Sequence, residues 1–140
     1  MCDGNGHPLH FRLTPGQTHE TQALEDLLAG VELVDDEGLR LETPFKLAGD
    51  KGYRADWIDT FLLERGITPV IPSKANEDRA ARPVEFDREA YRQRNIVERL
   101  IGWLKESRRI LTRFEKTAKN YAGMIKLAFI RRYLRLMRRS

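Results

Sequence analysis

Apolar positions along the chain switch between a period of two and a period near 3.6, and the predicted elements follow from where the rhythm changes. Near the start, Leu9, Phe11 and Leu13 alternate with His10 and Arg12 after the turn-forming run Asp3-Gly4-Asn5-Gly6, which predicts a hairpin end followed by a strand. Ala23, Leu24, Leu27 and Leu28 recur at helical spacing, with Thr18 as the expected cap and Gly30 as the stop. An acidic loop is expected at Asp35-Asp36-Glu37-Gly38. Phe45-Lys46-Leu47-Ala48 predicts a short strand ending at Gly49-Asp50-Lys51-Gly52-Tyr53. Trp57, Ile58, Phe61, Leu62 and Leu63 predict a helix closed by Gly66, and Thr68-Pro69-Val70-Ile71-Pro72 a further strand. Strands alternating with helices imply an α/β class with a partly parallel sheet.

Residues 73–86 are charged, lack apolar periodicity and contain Pro83, so they read as a loop between the strand–helix part, residues 1–72, and a helical part, residues 87–140. Asp87 suits the cap of a long helix, with Phe86 and Tyr91 in the two positions of a hydrophobic staple. A last helix is expected from about Thr117 to Arg139, with Tyr121, Met124, Ile125, Ala128 and Phe129 on one face.

With 140 residues, a single domain is the expectation. Charged residues at 33% and hydrophobic ones at 41% exclude a disordered polymer. No run approaches the roughly 20 apolar residues of a membrane span, and no secretory signal opens the sequence, so a cytoplasmic protein is expected. Cys2, the single cysteine, excludes an internal disulfide and a thiolate zinc site. The net charge of +4 conceals an asymmetry: residues 1–70 carry −7 and residues 71–140 carry +11. Such a basic half points to a partner bearing phosphate, the alternative being a solvated basic helix.

Along a continuous helix from Asp87, advancing about 100° per residue places Tyr91, Arg94, Glu98 and Lys105 within one narrow face. Ile96, Val97, Leu100, Trp103 and Leu104 fall on the opposite, buried face. One reading of the polar stripe is ordinary surface pairing of Arg94 with Glu98. The other has Glu98 holding a divalent metal while Tyr91, Arg94 and Lys105 bind phosphate oxygens. Asp50 is the best second carboxylate, because ligands of open α/β sheets bind outside the carboxyl ends of strands. Its alternative role is turn formation.

The spacing Tyr91, two residues, Arg94, three residues, Glu98, six residues, Lys105 resembles the Tyr-Arg-Glu-Lys signature of bacterial insertion-sequence transposases of the DDE type. Leu13-Thr14-Pro15-Gly16-Gln17-Thr18-His19, Gly49-Asp50-Lys51-Gly52-Tyr53 and Arg65-Gly66-Ile67-Thr68-Pro69-Val70-Ile71-Pro72 are similar to family segments too. The resemblance implies an RNase H-like catalytic domain that cuts and joins DNA strands by two-metal phosphoryl transfer. Carried over, Asp50 is the second metal-binding carboxylate and Glu98 the third, with Mg²⁺ or Mn²⁺ as the metal. Tyr91, Arg94 and Lys105 then position double-stranded DNA, as transposon end and target. Arg109 extends that track by helical geometry alone. The family also implies a homo-oligomer for the full-length enzyme and a place at the bacterial nucleoid.

The family's first Asp lies on a strand upstream of one whose end resembles Met1-Cys2-Asp3. Asp3 sits in a turn and is not given that role, so the chain resembles an N-terminally truncated catalytic domain with a basic helical C-terminal part. Alone it is expected to be inactive, the two-metal site arising only in the complete enzyme. The alternative is a non-catalytic DNA-binding fragment that modulates or inhibits a full-length transposase. His7, His10 and His19 have no metal-site spacing, and Trp57 and Trp103 are expected in the core.

Overall fold

The computed structural model describes residues 1–35, 37–107 and 117–139. The protein is mixed α/β and divides into two compact units, residues 14–94 and residues 1–13 with 95–140.

In the unit of residues 14–94, Thr18 N–H donates to the Pro15 carbonyl at 2.9 Å and Gln22 N–H to that of His19 at 3.0 Å. These short-range bonds wind Glu20–Ala23 as a 3-10 turn, and helix α1 follows as Leu24–Ala29. The start expected at Thr18 is therefore displaced: His19 takes the cap position of the 3-10 turn without a side-chain cap bond, and the α-helix begins at Leu24. Gly30 ends the helix as its spacing predicts, its N–H donating to the Asp26 carbonyl at 3.1 Å.

The acidic loop is the turn of an antiparallel hairpin between β1, Leu33–Val34, and β2, Arg40–Leu41, with Leu33 opposite Leu41. Asp35 Oδ1 accepts from Glu37 N–H at 3.0 Å and Leu39 N–H at 2.8 Å. An aspartate receiving backbone donors two and four residues on is standard turn chemistry. Asp36 lies outside the described residues.

Strand β3, Lys46–Ala48, pairs in parallel with β4, Thr68–Val70, with Leu47 opposite Pro69. This is the parallel pairing implied by the alternation of elements, and helix α2, Asp56–Leu63, is its crossover. Gly66, at φ +71°, stops α2. Ile67 N–H reaches back to the Leu62 carbonyl at 2.9 Å and Gly66 N–H to that of Leu63 at 3.0 Å, satisfying carbonyls of the last turn. Leu24, Ile58, Leu62, Ile67 and Ile71 form the core, ringed by Leu28, Leu47, Tyr53, Ala55 and Phe61. Each such side chain, fully buried, is worth roughly 1.5–3 kcal/mol over exposure. Trp57 is not among them: it is 44% exposed and meets only the edge of Phe61, ring centroids 6.2 Å apart. Its position on α2 falls outside the Ile58–Leu62 face.

The stretch 73–86 is more than a loop. Asp78 caps a 3-10 turn, Arg79–Ala81, and Arg82 is buried. Helix α3, Arg88–Arg92, starts as the sequence predicts: Asp87 Oδ1 accepts from Ala90 N–H at 2.9 Å, and the Phe86 and Tyr91 rings meet at 5.2 Å. The continuous helix, however, is broken. Arg94 N–H donates to the Tyr91 carbonyl three residues back, at 3.0 Å, and a new helix α4, Asn95–Ser107, begins. Asn95 belongs to the residues that compete with helix interiors and favour helix starts.

In the other unit, α4 packs on α5, Ala118–Met137. Thr117 caps α5 by accepting from Asn120 N–H at 3.3 Å, close to the predicted start. Leu100, Ile125 and Ala128 are buried, and Ile96, Val97, Trp103, Leu104, Tyr121, Met124 and Phe129 are half-buried, so both predicted apolar faces turn inward. Asp3 organises the expected turn, its Oδ1 accepting from Asn5 N–H at 2.9 Å and His7 N–H at 2.8 Å. The strand expected at Leu9–Leu13 does not form; pairing in this segment is the single bridge between Cys2 and Pro8. Its groups find α5 instead of a partner strand: Phe11 meets Phe129 edge-on at 5.7 Å, and Tyr133 Oη donates to the Pro8 carbonyl at 2.8 Å.

Candidate active site

Asp50 stands two residues beyond the carboxyl end of β3, where the sequence placed it. Its Oδ1 accepts from Gly52 N–H at 2.8 Å and its carbonyl from Tyr53 N–H at 3.1 Å, which winds Lys51–Tyr53 into one 3-10 turn. Its other oxygen has no hydrogen-bond partner among the described residues. Gly49 lies under it in tight quarters: a Cβ there would approach Ile71 Cγ1 and Tyr53 Cβ to 3.4 Å.

The elements beside Asp50 are tied together by charge. Lys46 Nζ, on β3, contacts Asp87 Oδ2 at 2.7 Å, joining the strand that delivers Asp50 to the cap of α3. The Lys46 ammonium, with the Ala90 N–H after it, holds the Asp87 carboxyl below the usual carboxylate range. Helix α3 packs on β4 and presents Tyr91, half-buried, with the Arg94 guanidinium 5.3 Å from its ring centroid. Asp50, Tyr91 and Arg94 thus belong to one unit.

Glu98 and Lys105 belong to the other. Both are exposed on α4, seven residues apart and so on one face of that helix. The break before Asn95 divides the stripe of four: Tyr91 lies on α3, Arg94 in the turn after it, and Glu98 and Lys105 on α4. Arg109 lies outside the described residues. Among the described residues no group of three or more His, Cys, Asp or Glu side chains is gathered to hold a metal.

A buried ionic network escaped the sequence. Asp59 Oδ2 accepts from Arg82 Nε at 2.6 Å and Oδ1 from Arg82 Nη2 at 2.8 Å, while Arg82 Nη1 donates to the Ile71 carbonyl at 2.6 Å. Arg54 adds a second cation, its Nη1 3.4 Å from Asp59 Oδ2, and also bonds Asp56 and Glu77. Arg54 follows the Asp50 turn directly, so the network fastens that turn to α2 and to the charged stretch. One signal existed: Asp59 shares the inward phase of α2 with Ile58 and Leu62, where a lone acid requires buried partners.

Comparison with known proteins sets these residues in context. The family model described as Transposase DDE domain matches residues 1–131. A protein assigned as the transposase for insertion sequence element IS402 of Burkholderia cepacia is 32% identical over 130 residues, covering 91% of this chain and 57% of that protein. One assigned to element IS6501 of Brucella ovis is 29% identical over 135 residues, covering 96% of this chain and 95% of its own length. The chain therefore spans little more than half of the first relative. No solved structure matches it. With nearly its whole length matched by the family model, the chain belongs to the transposase DDE domain family.

Proposed function

We propose that this chain serves DNA transposition, as part of an RNase H-like catalytic domain of the Tyr-Arg-Glu-Lys subgroup. The observation that carries the reading is Asp50, with an oxygen left for a ligand at the carboxyl end of a parallel strand, in a chain of this family. Asp50 and Glu98 supply the hard oxygens that Mg²⁺ or Mn²⁺ prefers. Such ions, when bound, activate the attacking oxygen and stabilise the leaving one in phosphoryl transfer. By their chemistry, each of these carboxylates is suited to a place in a two-metal donor set. Tyr91, Arg94, Lys105 and Arg109 donate to backbone phosphates of duplex DNA and fix its register. The full-length enzyme acts as a homo-oligomer at the nucleoid.

A second reading rests on one observation, the +11 charge of residues 71–140. In it the chain holds DNA without cutting it and modulates a full-length transposase.

Gel shift of the purified chain on duplex DNA across a salt series tests the shared DNA claim. Affinity should fall steeply with salt, and Arg94→Ala and Lys105→Ala should each lower the slope of log K against log salt by about 1. Binding that is absent at low salt overturns both readings. Nicking of terminal-repeat DNA by the chain alone in Mg²⁺ contradicts the expectation that it is inactive by itself.

A further inference from the structure

Helix α5 has a second apolar face besides the one packed on α4. Leu127, Ile130, Leu134 and Met137 are 59%, 54%, 55% and 73% exposed. Their spacing of three, four and three is that of a heptad seam, and Gly123 continues it backward by four, with nothing within 4 Å of where its Cβ would be. At about 100° per residue the four side chains span an arc of about 80°, the width of a coiled-coil seam and narrower than the apolar face of a helix lying in a lipid interface. Cations bracket the arc. Lys126 lies on one side and Arg131, Arg135 and Arg138 on the other, and α5 contains no Asp or Glu.

That charge pattern decides the occupant. A second copy laid along the seam, parallel or antiparallel, would set cation against cation on both flanks, which opposes pairing. An acidic helix meets the same flanks with attraction. We propose that this face of α5 docks an amphipathic helix of another protein, apolar along its own seam and acidic on both sides of it.

Anisotropy of fluorescein-labelled synthetic helices titrated with the full 140-residue chain tests this. One peptide of about four heptads carries Leu and Ile on the seam with Glu beside them, and its twin carries Lys beside the same seam. The acidic peptide should bind, more weakly as salt rises, and the basic twin should not. The double variant Ile130→Ser with Leu134→Ser changes exposed side chains only, so its circular dichroism should be unaltered while peptide affinity falls at least about tenfold. Arg131→Glu with Arg138→Glu should move the preference toward the basic twin. Equal binding of both peptides, or none, overturns the proposal. So does concentration-dependent self-association lost in the serine variant, which assigns the seam to a second copy. Binding to anionic vesicles in place of the acidic peptide assigns it to a lipid surface and overturns the proposal too.

Discussion

Asp59 and Arg82, twenty-three residues apart, form a two-pronged ion pair, Nε to Oδ2 at 2.6 Å and Nη2 to Oδ1 at 2.8 Å, with the aspartate only 2% exposed. The pair anchors the charged stretch after β4 onto α2, and through Arg54 it reaches the turn that holds Asp50. A carboxylate on a short turn is only as well placed as what holds the turn, and here the holder is ionic.

Removing one member of a buried pair costs more than the pair itself is worth, because the survivor stays buried and uncompensated. Asp59→Asn leaves two buried arginines facing a neutral amide. The expected loss is about 3 kcal/mol or more, a large share of the 5–15 kcal/mol typical of a domain. Urea unfolding followed by circular dichroism measures it. Asp59→Leu combined with Arg82→Met should lose less than the single change.

Asp87 gives a pH-dependent test. Its folded value lies below the usual carboxylate range, first through Lys46 and then through the Ala90 N–H. Its stabilising effect is therefore present above the ordinary carboxylate range and is lost as pH falls through the lowered folded value. Wild type should exceed Asp87→Asn in denaturation midpoint at neutral pH, and the gap should close on acidification. A gap constant with pH would contradict the Lys46 contact.

Two glycines separate backbone strain from steric clash. Both Gly6 and Gly66 have positive φ, but a Cβ on Gly6 would lie 2.8 Å from Ile96 Cγ2, whereas one on Gly66 meets nothing within 4 Å. Gly66→Ala should cost about 1 kcal/mol from strain alone. Gly6→Ala should cost more, and trimming Ile96 to Val or Ala should recover part of the difference in thermal melts.

Local chemistry made much of the fold legible. The Asp87 cap, the Phe86–Tyr91 staple, the Gly66 stop, the β3 and β4 strands and both inward helix faces all follow from side chains within a few residues of each other. Most of what failed depends on partners distant in sequence. Leu9–Leu13 has strand rhythm, yet a strand exists only where another pairs with it, and Phe11 and Pro8 engage α5 instead. Arg82 looked like a loop residue because its acid is twenty-three positions away. The uninterrupted helix from Asp87 failed for a local reason, the turn in which Arg94 N–H bonds the Tyr91 carbonyl, which the apolar rhythm alone did not show. The location of Asp50 just past β3 was legible because strand ends and glycine turns are written locally.

In the proposed function, Asp50 and Glu98 each serve as a carboxylate for divalent ions on DNA. Mn²⁺ titration of the chain bound to duplex DNA, followed by electron paramagnetic resonance, tests it most directly. Asp50→Asn and Glu98→Gln should each weaken Mn²⁺ binding at least about tenfold while DNA affinity and circular dichroism are kept. Mn²⁺ binding in both variants that matches wild type would contradict it.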